Sequence, residues 1–204
     1  MRSRKHAQTS PSPVPVALLI IDVLTTFQFP DGDAILRGAL DVRDGLVKLK
    51  VRSRDAGIPV LYVNDNFGDW RSEKEVLMGR CLEAKGAQFV RPLLPDSEDY
   101  FVLKPMHSAF YMTPLEVLLQ HLRVETLILT GLTSNSCITV TAHDANMRGF
   151  DIYIPSDCSC ARNAQEHTQS LGQLEATIGA KLLRSTSLKL PNLIRAAQIS
   201  QRGD

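Results

Sequence analysis

Residues 127–145 have the sequence LILTGLTSNSCITVTAHDA, and the hydrophobic pattern changes period at Cys137. Leu127–Leu129 form a short apolar run, as in buried parallel strands. Gly131 ends the run, and small polar residues at 133–136 follow it. Apolar residues then recur at the spacing of one helix face, at Ile138, Ala142 and Ala145. The stretch therefore predicts a strand, a turn and a helix that begins at the cysteine.

A cysteine at this point of the chain is a candidate nucleophile. Free backbone amides and the positive end of the helix dipole favour the thiolate form of Cys137. The dipole contributes only about 0.3–1 kcal/mol, and most free cysteines behave as small buried hydrophobes. A reactive thiol at this position therefore needs partners elsewhere in the chain.

Length and composition narrow the class of protein. The 204 residues fit one domain, and 23 basic against 22 acidic residues leave no bulk charge for nucleic acid or a membrane surface. Four cysteines and the lack of a secretory signal favour reduced thiols in the cytoplasm. Residues 1–15 are basic and rich in Ser and Pro, which predicts a disordered segment before a single domain at 16–204.

Short apolar runs alternate with helical patterns along the chain, which predicts an α/β fold with a parallel sheet and helices on both faces. The predicted strands are 16–21, 59–63, 100–103, 126–130, 151–154 and 181–184. The predicted helices are 34–56, one that starts at 113–116, the one after Cys137, and 165–178.

Three reactive side chains follow predicted strands: Asp22 after the first, Lys104 after the third and Cys137 after the fourth. Ligands bind such sheets at the carboxyl ends of the strands, so the three are expected to meet there. Asp22 can take the thiol proton, Lys104 can stabilise the anions, and amides before Cys137 can hold an oxyanion, each worth about 2.7–4 kcal/mol of barrier. Taken singly, Asp22 could instead cap a turn and Lys104 could be solvated.

The sequence resembles the isochorismatase-like cysteine hydrolases from about residue 16 to residue 183. LLIID at 18–22 is similar to the first strand of that superfamily with its acidic base. KPMHSAF at 104–110 is similar to its lysine motif, and GLTSNSC at 131–137 to its nucleophile motif.

The resemblance implies a three-layer fold with six parallel strands in the order 3-2-1-4-5-6. It implies a catalytic triad of Asp22, Lys104 and Cys137. It also implies a cis peptide bond between Leu132 and Thr133, with an oxyanion hole formed by the amides of Thr133 and Cys137.

Two positions depart from the pattern of the superfamily. Gln commonly stands two residues after the acid, where this chain has Leu24, so a polar contact could be missing. Nicotinamidases carry an Asp-x-His metal signature after the second strand, where this chain has Asp65-Asn66-Phe67. Without the histidine we expect no zinc site and no cofactor, and nicotinamide becomes a poor candidate substrate.

The substrate pocket is the part that the sequence defines least. Residues 64–88 are long for a connection and are a candidate lid. Aromatic residues that could line the pocket are Phe27, Phe67, Trp70 and Phe110, although core packing is the better interpretation for any one of them. His107 lies in the lysine motif and could touch substrate. Cys158 and Cys160 lack the spacing of a zinc ribbon and are assigned to a loop at a strand end.

These features predict a metal-independent hydrolase that cleaves a small amide or related C–N bond through an acyl-enzyme on Cys137. Two alternatives remain: vinyl ether hydrolysis, as in isochorismatases, and a binding or scaffold protein that has lost catalysis. The expected partners are a small-molecule substrate and further copies of the chain, in a dimer or tetramer, with neither nucleic acid nor a membrane.

Overall fold

The computed structural model describes residues 14–71 and 73–203. Most of the segment predicted to be disordered, residues 1–13, lies outside the described residues. Pro15 belongs to the ordered fold, because its carbonyl accepts hydrogen bonds from the amides of Glu125 and Thr126.

A parallel sheet forms the centre of the fold, in the order β3-β2-β1-β4-β5-β7. The predicted strand order is confirmed, with β7 as the predicted sixth strand. The prediction missed one two-residue strand, β6, which pairs with the end of β4. The strands are β1 (Val16–Ile21), β2 (Val60–Asp65), β3 (Tyr100–Lys104), β4 (Thr126–Leu132), β5 (Asp151–Pro155), β6 (Ser159–Cys160) and β7 (Lys181–Leu183).

Helices surround the sheet, and wherever the sequence predicted a helix boundary, the observed helix begins or ends within two residues of it. They are α1 (Gly32–Asp55), α2 (Lys74–Glu83), α3 (Ala87–Val90), α4 (Leu115–His121), α5 (Cys137–Met147), α6 (Ala164–Ile178) and α7 (Leu190–Gly203). Local capping explains the bounds of α6: the side chain of Asn163 accepts from the amide of Glu166, and Gly179 ends the helix in the left-handed conformation. The last helix, α7, is not among the predicted elements.

Both faces of the sheet are covered, which explains why its central strands are apolar throughout. Every residue of β1 is buried. Val16, Leu18 and Ile20 pack into one core cluster, which also contains apolar residues of α1, α2 and α7. The intervening residues of β1 pack into a second cluster with residues of α4, α5 and α6. Within the described ranges, no helix is long and apolar enough to span a membrane.

The carboxyl ends of β1 and β4 approach each other closely. Ile21 and Gly131 are partners in the ladder between these strands. Gly131 has a φ of 105°, and a Cβ built on it would lie 2.1 Å from the carbonyl oxygen of Ile21. Only glycine fits at this position. The close approach sets Asp22, the residue after β1, beside the turn that leads to Cys137.

Candidate active site

Asp22 and Lys104 form a buried ion pair at the carboxyl edge of the sheet. Asp22 directly follows β1, and Lys104 is the last residue of β3. The Lys104 Nζ lies 2.9 Å from Oδ2 of Asp22. The Lys104 side chain has no exposed surface and that of Asp22 is 11% exposed, so water screens the pair very little.

The sulfur of Cys137 lies next to both charged groups. Cys137 is the first residue of α5, and its Sγ is 3.6 Å from the Nζ of Lys104. The carboxylate of Asp22, paired with that ammonium, is close enough to act on the thiol electrostatically. The three residues that the sequence placed at strand ends therefore share one site, in which the ammonium of Lys104 contacts both the carboxylate of Asp22 and the sulfur of Cys137.

The electrostatics of the site differ from the sequence-based expectation of a resting thiolate. Burial, together with the nearby carboxylate of Asp22, raises the pKa of Cys137 to about 12, although Lys104 lowers it. Burial and the negative charge of Asp22 thus oppose the thiolate that the helix N-terminus favours. Burial also raises the pKa of Asp22, in spite of Lys104. A carboxylate with a raised pKa is a stronger base, which suits it to accept the thiol proton.

A second carboxylate, which is not among the predicted site residues, also contacts Lys104. Asp65 ends β2, and its Oδ2 lies 3.5 Å from the Nζ of Lys104. Its backbone amide donates to Oδ1 of Asp22 over 2.7 Å. Burial alone lowers the pKa of Lys104, but the charges of Asp22 and Asp65 outweigh it and raise the pKa. The sequence already placed Asp65 close after a predicted strand, and that position could have identified it as a site residue.

The turn between β4 and α5 carries the candidate oxyanion donors. The peptide bond between Leu132 and Thr133 is cis. The amide of Ser134 donates to the carbonyl of Cys160, and that of Ser136 to the carbonyl of Thr133. Among the hydrogen bonds of the described residues, none uses the amide of Thr133 or of Cys137. Both donors are thus available to a ligand.

His107 is exposed and lies at the mouth of the site. Its Nδ1 is 3.7 Å from the sulfur of Cys137 and 3.5 Å from the hydroxyl of Ser136. His107 therefore contacts the candidate nucleophile on the side that is open to solvent.

Leu24 stands where the superfamily commonly has Gln, and the backbone groups of Leu24 find their hydrogen-bond partners in another residue. The side chain of Leu24 is fully buried in the core. Its backbone amide donates to the side-chain oxygen of Asn64, and its carbonyl accepts from the Asn64 amide group, both over 2.9 Å. Asn64 thus fixes the segment after Asp22, and the departure leaves no unpaired backbone group there.

An open cleft of about 620 Å³ lies beside Lys104 at the β3 edge of the sheet. Its walls include Trp70, Leu103, Met106, Tyr111 and Met112. Trp70 comes from the candidate lid, and its side chain is 81% exposed. Further along that segment, α2 is anchored in the core by Leu77 and Cys81.

The other aromatic residues considered for the pocket are not on the walls of this cleft. Phe27 is fully buried, with its ring edge-on to Phe89 at 5.7 Å. Phe110 is buried and stacks on Phe150. Phe67 is about half exposed. Phe27 and Phe110 are thus core residues, since large rings gain most from complete burial.

Two of the remaining cysteines, Cys158 and Cys160, lie beside the carboxyl end of β4, where their backbone carbonyls accept from the amides of Gly131 and Ser134. Cys81, Cys158 and Cys160 are buried and free, and burial raises the pKa of each thiol. Cys160 belongs to β6, so the predicted loop contains a short strand. In the part of the chain that the structure describes, no three His, Cys, Asp or Glu side chains are arranged to hold a metal ion.

Comparison with known proteins assigns the chain to a family. The sequence model of the Isochorismatase domain matches residues 16–187. An uncharacterized isochorismatase family protein of Bacillus subtilis, YaaI, is 32% identical over 166 residues, which cover 81% of this chain and 92% of YaaI. Maleamate amidohydrolase of Pseudomonas putida is 24% identical over 181 residues, 85% of each chain. The crystal structure of an isochorismatase family protein from Desulfovibrio vulgaris matches with a TM-score of 0.71 and 28% identity, over 89% of this chain and 98% of that one. The chain therefore belongs to the isochorismatase family of hydrolases.

Proposed function

We propose that this chain is a cysteine hydrolase that cleaves a small amide or related C–N bond through an acyl-enzyme on Cys137. The observation that carries the proposal is the contact of one thiol with the buried ion pair of Asp22 and Lys104. A relative with 24% identity, maleamate amidohydrolase, acts on an amide, which supports the bond type.

In the proposed acylation, Asp22 accepts the thiol proton as the sulfur attacks the carbonyl carbon. Lys104 stabilises the developing thiolate at 3.6 Å, and the amides of Thr133 and Cys137 receive the oxyanion. Collapse of the tetrahedral intermediate breaks the C–N bond, and the proton on Asp22 passes to the leaving amine. A carboxyl with a raised pKa holds and returns this proton readily.

In the proposed deacylation, Asp22 removes a proton from water, and the resulting hydroxide attacks the thioester. The C–S bond breaks, the acid product leaves, and the proton on Asp22 returns to the sulfur. Lys104 keeps its charge throughout, because Asp65 and Asp22 both face its ammonium group.

No metal enters the proposed mechanism. Asp65 stands where nicotinamidases are expected to present a metal-binding aspartate, and here its carboxylate faces Lys104 and accepts from the amide of Phe67 over 2.6 Å. Those contacts engage the oxygens that a metal would need.

The free thiols suit a reducing compartment, which favours the cytoplasm.

The test is a panel of small amides, ureas and carbamoyl compounds, with hydrolysis measured for the wild type and Cys137→Ala. We expect turnover by the wild type, none by Cys137→Ala, and unchanged turnover by the control Cys81→Ala. Acid quenching during turnover should give the mass of a thioester on Cys137. Turnover of an added vinyl ether substrate, with no C–N substrate cleaved and no thioester trapped, would favour vinyl ether chemistry, and turnover by Cys137→Ala would mean that the nucleophile is wrong.

We also propose that the chain forms a homo-oligomer. The cleft rim exposes a cluster of large apolar side chains, and monomers seldom leave such patches uncovered. These side chains are Trp70, Met106, Tyr111 and Met112. Light scattering should give a dimer or larger mass for the wild type and a lower mass for a Trp70→Glu, Met112→Glu variant.

A further inference from the structure

His167 lies outside the triad but reaches the turn that carries the candidate oxyanion donors. It belongs to α6, and its Nδ1 is 2.9 Å from the hydroxyl oxygen of Ser134. Its Nε2 is 3.0 Å from the backbone carbonyl oxygen of Ser156. Ser134 has no exposed surface and directly follows Thr133. The imidazole thus joins the segment after β5 to the residue next to the cis peptide bond.

These contacts determine the tautomer of the ring. A backbone carbonyl can only accept, so Nε2 must carry the proton and donate to Ser156. Nδ1 then holds a lone pair, and the hydroxyl of Ser134 donates to it. Burial lowers the pKa of His167, which keeps the ring neutral and this arrangement intact at neutral pH.

All the polar groups of Ser134 are engaged, each with a different element. Its amide donates to the carbonyl of Cys160 in β6 over 2.8 Å. Its carbonyl accepts from the hydroxyl of Thr139 in α5 over 2.6 Å. Its own hydroxyl donates to His167 in α6. Three contacts from three directions fix Ser134, and with it the direction of the neighbouring peptide groups.

We propose that His167 is a positioning residue, which through Ser134 holds the turn at 133–136 so that the amides of Thr133 and Cys137 face the oxyanion. The inference rests on the proposed acyl-enzyme mechanism. A displacement of about 1 Å in such a group can cost on the order of 100-fold in rate. Loss of the contact should therefore slow steps that form an oxyanion and spare steps that do not.

Two reactions of the Cys137 sulfur distinguish a step that forms an oxyanion from a step that does not. Acylation of Cys137 by p-nitrophenyl acetate passes through an oxyanion, whereas alkylation by iodoacetamide displaces iodide at a tetrahedral carbon. His167→Gln can keep the donor to Ser156 but loses the acceptor for Ser134. His167→Asn can keep an acceptor near Ser134 but loses the other contact. His121→Gln, at an exposed site on α4, is the matched control.

We expect acylation to fall about 10- to 100-fold in His167→Gln and less in His167→Asn, with alkylation within twofold of the wild type in both. Ser134→Ala should behave like His167→Gln and provides the test if the histidine variants fail to fold. Equal losses in both reactions would overturn the inference, as would unchanged acylation. If the wild type itself is not acylated at Cys137, the proposed function fails as well, so the two failures are distinguishable.

Discussion

Replacing Lys104 with methionine should destabilise the protein, because the variant leaves the carboxylate of Asp22 buried without its counterion. At 2.9 Å and an effective dielectric constant of about 20, the pair has a Coulomb energy of about 6 kcal/mol. Desolvation offsets part of that gain. Removing one partner of a buried pair costs about 3–5 kcal/mol. At about 2–4 °C per kcal/mol for a chain of this size, we expect the melting temperature to fall by about 6–20 °C.

The assay is urea unfolding at neutral pH for Lys104→Met and for the surface control Lys48→Met, which should change stability by less than about 0.5 kcal/mol. The double variant Asp22→Asn, Lys104→Met should be more stable than Lys104→Met alone, because it removes the unpaired charge. Lowering the pH should narrow the gap between Lys104→Met and the wild type. In the variant, the pKa of Asp22 rises further, so the native state binds a proton more tightly than the unfolded state and gains stability as the pH falls. Equal stability of the two single variants, or no recovery in the double variant, would refute the reasoning.

Three further outcomes are expected at this edge of the sheet. In Asp22→Asn, iodoacetamide should alkylate Cys137 faster near pH 8, because the carboxylate of Asp22 raises the pKa of the thiol. Amide turnover by the same variant should fall at least about 100-fold, because Asp22 also acts as the base. Slower alkylation of the variant would contradict this assignment. Gly131→Ala should lose at least about 3 kcal/mol in urea unfolding, since its Cβ would meet the Ile21 backbone, whereas Gly79→Ala, with open space around it in α2, should be neutral or gain up to about 1 kcal/mol. His107→Gln should change the free energy of unfolding by less than about 0.5 kcal/mol because the residue is exposed, but should raise KM if the ring touches substrate; an unchanged KM would remove His107 from the site.

Much of the fold was predictable from local sequence patterns. The six main strands and the helices before and after Cys137 agree with expectation because continuous apolar runs and helical spacing are properties of short stretches. The order of the strands in the sheet was predicted from the family resemblance and not from these patterns. The two-residue strand β6 was not predictable, since two residues carry no periodicity. The position of Cys137 at the N-terminus of α5 was also predictable, because the spacing of apolar residues changes from that of a strand to that of a helix there.

The electrostatic state of the site was not predictable in the same way. The helix N-terminus favours a thiolate at Cys137, but burial and the charge of Asp22, which raise the pKa of the thiol, depend on elements distant in the chain. For the same reason the sequence did not indicate that Asp65 faces Lys104 or that Asn64 holds Leu24. These contacts exist only once β1, β2 and β3 lie side by side.

The sequence by itself determined the elements, their order and which reactive residues stand at the ends of strands. Only the tertiary structure decided that Asp22, Lys104 and Cys137 are within contact distance, that Phe27 and Phe110 are core residues, and that His167 reaches the turn before the thiol. The physical reason is the difference in sequence separation over which the interactions act. Periodicity and capping act over a few residues, whereas burial, ion pairing and pKa values depend on which distant side chains pack together.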